Sequence, residues 1–165
     1  MTVAKAAVPV AGAAANIVIE PAQADDLPAI VALFADDPIG GHGDSAEPAA
    51  QADYRAAFAE IAAAPNSNLF VARRDGRVVG TFQLTYTRLI SGRGTLHAVL
   101  NGLQVAACGR SLGIGAAMVA AAERQARARG AGVLELTSNL KRTDAHRFYE
   151  RLGFAKSHAG FKKQL

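Results

Sequence analysis

The residues whose types and spacing can do chemistry begin at Arg110. The run Arg110-Ser111-Leu112-Gly113-Ile114-Gly115 lies between an apolar segment ending at Val105 and an alanine-rich segment reaching Arg129. A strand, a glycine-rich loop and a helix in that order aim backbone N–H groups and the positive end of a helix at one spot, which suits a phosphate. A Walker A loop is excluded, because no Gly-Lys-Ser/Thr follows. A dinucleotide fingerprint is excluded too. Met118 stands where its third glycine belongs, and Glu135, twenty residues after Gly115, sits inside the run VLEL rather than at a strand end. What remains is R-x-x-G-x-G: a short nest for one pyrophosphate with an arginine beside it, or an ordinary tight β–α turn.

The segment before the loop carries a second signal. Leu96, Ala98 and Leu100 put apolar side chains on even positions, and Leu103 and Val105 put them on odd ones. A one-residue slip would turn half the strand inside out. A β-bulge at Asn101–Gly102 repairs it, with glycine accepting the unusual backbone. A strand buried on both faces is the alternative, since Val99 is apolar as well.

These residues need a scaffold. Asn16–Glu20 reads as a strand ended by Pro21, and a helix opens at Asp25 or Asp26 and runs through Leu27, Ile30, Val31 and Phe34. Residues 36–44 form a loop, a second helix spans 46–64, and Pro65 stops it. Leu69–Arg74, the turn Asp75–Gly76 and the following strand make a hairpin, with Val78, Gly80, Phe82, Leu84 and Tyr86 on one face. After a loop at 91–94 come the bulged strand, the glycine loop and a helix closed by Gly130 and Gly132. A strand at 133–138 leads to a last helix capped by Thr143, with Ala145, Phe148, Tyr149 and Leu152 on its apolar stripe. One or two closing strands are expected in Phe154–Leu165. The order predicts a mixed α/β fold with antiparallel and parallel pairing.

Composition bounds the rest. The 165 residues suit one domain, and half are hydrophobic. The lone cysteine, Cys108, excludes a disulfide framework and a multi-cysteine zinc site, and no metal site is expected. No apolar run approaches a membrane span. Residues 1–15 are expected to be a disordered cytoplasmic tail, their Ala-Gly-Pro stretch being too weak for a signal peptide, and 16–165 the folded domain. Residues 1–99 hold seven Lys and Arg against ten Asp and Glu; residues 100–165 hold eleven against four. The second part favours an anionic ligand. No aromatic-basic pattern or recognition helix points to nucleic acid.

The stretch from Leu103 to Phe154 resembles the GNAT superfamily of N-acetyltransferases. The loop looks like that family's Q/R-x-x-G-x-G/A signature. About thirty residues on, LTSN ahead of RTDAHRFYERLGF looks like its second half. SHAGFKKQL at the end is similar to bacterial small-molecule members, including aminoalkylphosphonate acetyltransferases. The resemblance implies a central, mostly antiparallel sheet whose one parallel strand pair splays apart around acetyl-CoA. It implies backbone contacts from Leu103 and Val105 to the pantetheine arm and thioester. Pyrophosphate would rest on the amides of Arg110, Ser111, Leu112, Gly113, Ile114 and Gly115. Asn139 would bond the pantetheine, and Ala145 would leave room for it. Tyr149 matches the family's general-acid tyrosine, and members often pair with a second copy.

The implied reaction is attack of an amine on a thioester in a ternary complex. A free alkylamine has a pKa near about 10, so a proton must leave first. Many relatives carry a glutamate where this chain has Asn101, and an amide is no base. His97, four residues earlier, lies about 13 Å away along the strand, out of reach of the same amine. Proton removal through ordered water, assisted by Asn101 or His42, is the expectation. Tyr86 and Asp44 join His42 as candidate acceptor contacts. Asp36, Asp37, Asp44 and Glu47, with no Lys or Arg among residues 36–54, either favour a small cationic amine or form a solvated acidic loop. A protein acceptor, or a CoA-binding regulatory module with weak catalysis, are the competing functions.

Overall fold

A computed structural model describes residues 8–9, 16–37, 39 and 43–165. One sheet runs in the order β1 (Val8–Pro9), β2 (Ile17–Pro21), β3 (Ser67–Arg74), β4 (Arg77–Arg88), β5 (Leu96–Val105) and β6 (Val133–Leu136). All neighbours are antiparallel except β5 and β6. The helices are α1 (Leu27–Ala35), α2 (Gln51–Ala63), the single turn α3 (Ser91–Gly94), α4 (Ile114–Ala128) and α5 (Thr143–Arg151). The mixed α/β architecture read from the sequence is the one adopted.

Alternation along the strands makes two different faces. Phe82, Leu84 and Tyr86 of β4 and Ala98 and Leu100 of β5 point to one side, where α4 buries Met118, Val119, Ala121 and Ala122 against them. Close approach here depends on Gly80: a Cβ at that position would stand 2.7 Å from Met118 Sδ. On the other side α1 buries Leu27, Ile30 and Val31. Its first residue follows Asp26, whose carboxylate takes the Gln23 N–H at 2.9 Å and the Arg73 guanidinium at 2.6 Å. Arg73 also bonds Glu20, so β2, β3 and α1 share one ion network.

Two bulges set the side-chain phase. In the β3–β4 ladder Ala72 opposes Gly80 but Arg73 opposes Val78, so Val79 is an extra residue. Val79 therefore joins the core and Val78, expected there, is only half-buried. In the β4–β5 ladder Thr81 opposes Gln104 and Gln83 opposes Asn101, so Phe82 faces both Gly102 and Leu103. Gly102 has φ +56, and a Cβ on it would stand 3.2 Å from the Phe34 ring. The bulge predicted at Asn101–Gly102 is present, its doubled pair being Gly102–Leu103.

Other expectations change. Val8–Pro9 pairs with Ile19 and Val18 of β2, against a wholly disordered tail; the remaining residues of 1–15 lie outside those described. No strand forms in 154–165: only Phe154 and Leu152 before it pack on the core, and Phe161 and Leu165 are exposed, so no apolar face drives pairing. Thr143 is the first residue of α5 rather than its cap; Arg142 holds that place without a side-chain cap.

Candidate active site

The last residues of β5 are where backbone groups become free. Its parallel ladder with β6 covers only His97–Leu100 against Val133–Leu136. β5 then continues through the bulge to Val105 with no β6 partner. A parallel pair that stops there leaves the β6-facing N–H and C=O groups of 101–105, the Val105 carbonyl apart, without a ladder partner, and unmade hydrogen bonds of this kind suit a ligand. Leu103 and Val105 are both half-buried within this stretch.

The glycine loop follows at once. Ser111 and Gly113 have φ +62 and +78, so left-handed residues alternate along the chain and turn successive N–H groups toward one side. Among the described residues, the N–H groups of Ser111, Leu112 and Gly113 donate to no acceptor. Gly113 directly precedes α4, so the positive end of a 15-residue helix adds to them. Arg110 is exposed and its Nε donates to the Val105 carbonyl at 3.4 Å. Leu112 is exposed, while Ile114 is 1% exposed and anchors the helix in the core. At Gly115 a Cβ would stand 3.2 Å from the Phe148 ring, which brings α5 against the first turn of α4. This cradle fits a pyrophosphate: free amides, one arginine and no carboxylate among 105–115.

Tyr149 stands on α5, edge-on to Phe148 at 5.1 Å and to Phe154 at 5.7 Å. Burial pushes its phenol above the ordinary 10.0, and the charge of Arg142 pulls part of that back. The group is thus a protonated acid throughout the neutral range. Asn139 opens the turn into α5: its Oδ1 takes the Lys141 N–H and its carbonyl the Arg142 N–H, both at 2.9 Å. Asn139 is exposed, and its Nδ2 donates to no acceptor among the described residues. Ala145 is half-buried on the next turn.

Asn101 lies just ahead of the bulge. Its Nδ2 donates to Thr85 Oγ1 at 3.1 Å and to the Val99 carbonyl at 3.2 Å. Only an N–H can serve the Val99 carbonyl, so the side chain's orientation is fixed and Oδ1 is the free end. His97 Nδ1 stands 3.3 Å from Glu135 Oε2 across the β5–β6 pair and is turned away from the bulge region by the strand's length.

Three acceptor-side expectations meet the structure differently. His42 lies outside the described residues. Asp44 accepts from Tyr54 Oη at 3.1 Å, which ties the loop to α2. Tyr86 is on the wrong face: it is 5% exposed, packed in the α4-side core with the Arg129 guanidinium 4.4 Å from its ring centre. Alternation assigns it there, on the even face with Leu84, whereas Asn101 shares its face with Thr85.

A further group was not legible in the sequence. Asp37 takes the Gln104 amide at 2.7 Å, the Ile39 N–H at 3.2 Å and the Arg142 guanidinium. Burial alone would raise its carboxyl, but the hydrogen bonds from Arg142, Ile39 and Gln104 outweigh that and hold it below its ordinary value. Its charge is therefore spent inside the protein, which weakens the expectation of an acidic loop reserved for a cationic acceptor.

The sequence profile of the Acetyltransferase (GNAT) family matches residues 27–154. An aminoalkylphosphonate N-acetyltransferase of Salmonella typhimurium is 38% identical over 112 residues, 68% of this chain and 72% of that one. Among solved structures, a protein from Bacillus halodurans C-125 described as a transcriptional regulator superposes with a TM-score of 0.87 at 35% identity, over 90% of this chain and 99% of that one. AAC(6')-Iy, solved with the bisubstrate analog CoA-S-monomethyl-acetylneamine, shares the fold with a TM-score of 0.72 at 20% identity, over 90% and 98% of the two chains.

Proposed function

Because the chain belongs to the GNAT acetyltransferase family and is an N-acetyltransferase, we propose that it moves the acetyl group of acetyl-CoA onto the primary amine of a small molecule, by direct attack in a ternary complex. The observation that supports this reading is the unladdered end of β5, followed directly by the amide nest at 111–113. Acetyl-CoA, when bound, supplies a thioester carbonyl open to attack and a thiolate leaving group.

The chain's own residues then have separate tasks. The Arg110 N–H is spent on the Ala107 carbonyl at 3.3 Å, so the amides of 111–115 and the Arg110 side chain hold the pyrophosphate. Backbone groups of Leu103 and Val105, free of any β6 ladder, pair with the pantetheine arm in place of a strand. One freed N–H in this stretch faces the negative charge that develops on the carbonyl oxygen. Tyr149, kept protonated by burial, returns a proton to the departing sulfur. Asn101 Oδ1 accepts from the incoming ammonium or from a water that takes its proton; it orients, and water carries the proton away.

The acceptor is a small primary amine. Because the Salmonella relative is an aminoalkylphosphonate N-acetyltransferase, aminoalkylphosphonates come first in a panel of amines, followed by polyamines and amino sugars. Thiol release from acetyl-CoA across this panel tests the proposal: turnover with at least one amine is expected, and heat of acetyl-CoA binding without any thiol release would favour the second reading. That second reading, a CoA-binding regulatory module, rests on Asn101, an amide where a carboxylate base would serve catalysis better.

A further inference from the structure

We propose that Asp37 is a positioning residue for Tyr149: its carboxylate clasps Arg142 to Gln104 and so sets where α5, with its phenol, stands against the parted end of β5. The inference deepens the acetyl-transfer reading above and rests on it. Asp37 opens the loop after α1, Gln104 lies in the unladdered part of β5, and Arg142 directly precedes α5. Segments 67 and 105 residues apart in the chain thus meet on one carboxylate, whose side chain is 9% exposed.

The clasp matters because α5 has little else that is directional. It belongs to no ladder and has no side-chain N-cap. His146 Nε2 also meets the Asn139 carbonyl at 3.0 Å, but that bond lies within the turn leading into the helix; against the rest of the fold α5 rests on apolar contacts such as Phe148 on Gly115, which tolerate sliding. Charge-assisted hydrogen bonds do not tolerate it, being short and angular. The same guanidinium also acts on the phenol electrostatically, so displacing Arg142 would move both the place and the environment of the acid. Gln104 completes the geometry by fixing the carboxylate to the strand that Tyr149 must face.

A double-mutant cycle between Asp37 and Tyr149, residues in no contact with each other, separates positioning from mere support. With acetyl-CoA and a primary amine, Asp37→Ala is expected to lower kcat about 30-fold while the KM for acetyl-CoA stays within about twofold. Adding Tyr149→Phe, which alone costs about 100-fold or more, should then bring the total loss only to about that of Tyr149→Phe by itself, because residues acting as a unit are not additive. A second readout needs no turnover: tyrosinate absorbance, taken as the difference between chains with and without Tyr149. In Asp37→Ala the phenol's titration should move down toward that of free tyrosine as burial is relieved. Multiplicative losses together with an unmoved titration would overturn the clasp. Should the protein acetylate no amine, the titration still decides the matter. If Asp37→Ala fails to fold, Gln104→Met removes one arm, leaves the ion pair, and is read in the same two ways.

Discussion

Strands β2 to β4 and the pair β5–β6 belong to one sheet, yet they use their backbone and charged groups in opposite ways. In the first region each ladder runs nearly the full strand, Phe70 stacks on Phe82 at 5.0 Å, and the half-buried Arg73 joins Glu20 to the buried carboxylate of Asp26. In the second the ladder stops after four pairs, a bulge turns the strand, and the ion pair at its end links a loop to a helix rather than strand to strand. Stability is concentrated in one region, and unmade hydrogen bonds in the other. A fold that keeps its polar vacancies together can bind there without loosening its core.

The largest expected effect is in the open region. Tyr149→Phe should lower kcat by about 100- to 1000-fold, a typical general-acid loss, while the thermal midpoint hardly moves; steady-state kinetics and a melting curve check both. Arg73→Met should do the reverse. It strands the Asp26 carboxylate and should cost about 3 kcal/mol of stability, seen as a lower denaturant midpoint, with kcat at low temperature unchanged. If Arg73→Met instead slowed turnover as much as Tyr149→Phe, the division between the regions would be wrong.

The pH profile sharpens the same contrast. With no carboxylate at position 101, kcat/KM should rise about tenfold per pH unit below the amine's pKa near 10, following the free amine. Tyr149 is raised above its ordinary value, so its proton is retained across this window and no basic fall begins below that pKa. Asn101→Ala should cost about tenfold at every pH, one good hydrogen bond, because an amide does not titrate; an unchanged rate in both Asn101→Ala and His42→Ala across the pH range would remove the ordered-water path. The smallest effect is expected for Gly102→Ala, about 1 kcal/mol from a positive φ and crowding against Phe34. Its signature is a higher KM for acetyl-CoA, as the bulge straightens.

How much of this the residues foretold depends on range. The bulge was legible because the apolar phase switches between Leu100 and Leu103, a local event. The hairpin was legible from Asp75–Gly76, and both left-handed residues of that turn are present, with φ +50 and +76. Asn101, Tyr149 and the glycine loop were legible as types at spacings, with roles supplied by resemblance. Tyr86 was misplaced although its parity with Leu84 gave the right face. Val79 was missed because an alternating pattern says nothing about which strand of a hairpin carries the extra residue. The Asp37–Arg142 pair was beyond reach: nothing in either local sequence marks a partner 105 residues away. The absent final strand is a different failure: among the described residues β6 keeps an open edge, but Phe161 and Leu165 stay exposed and bring no apolar face to pair there.

The four-pair parallel ladder also predicts how amide hydrogens trade with solvent. Amides at 97–100 sit between two strands and should exchange slowly, whereas those at 101–105 that face away from β4 should exchange far sooner. Deuterium uptake along this one strand would therefore change abruptly within a few residues. Saturation with the thiol carrier should erase that step, turning a ten-residue strand into its own gauge of occupancy.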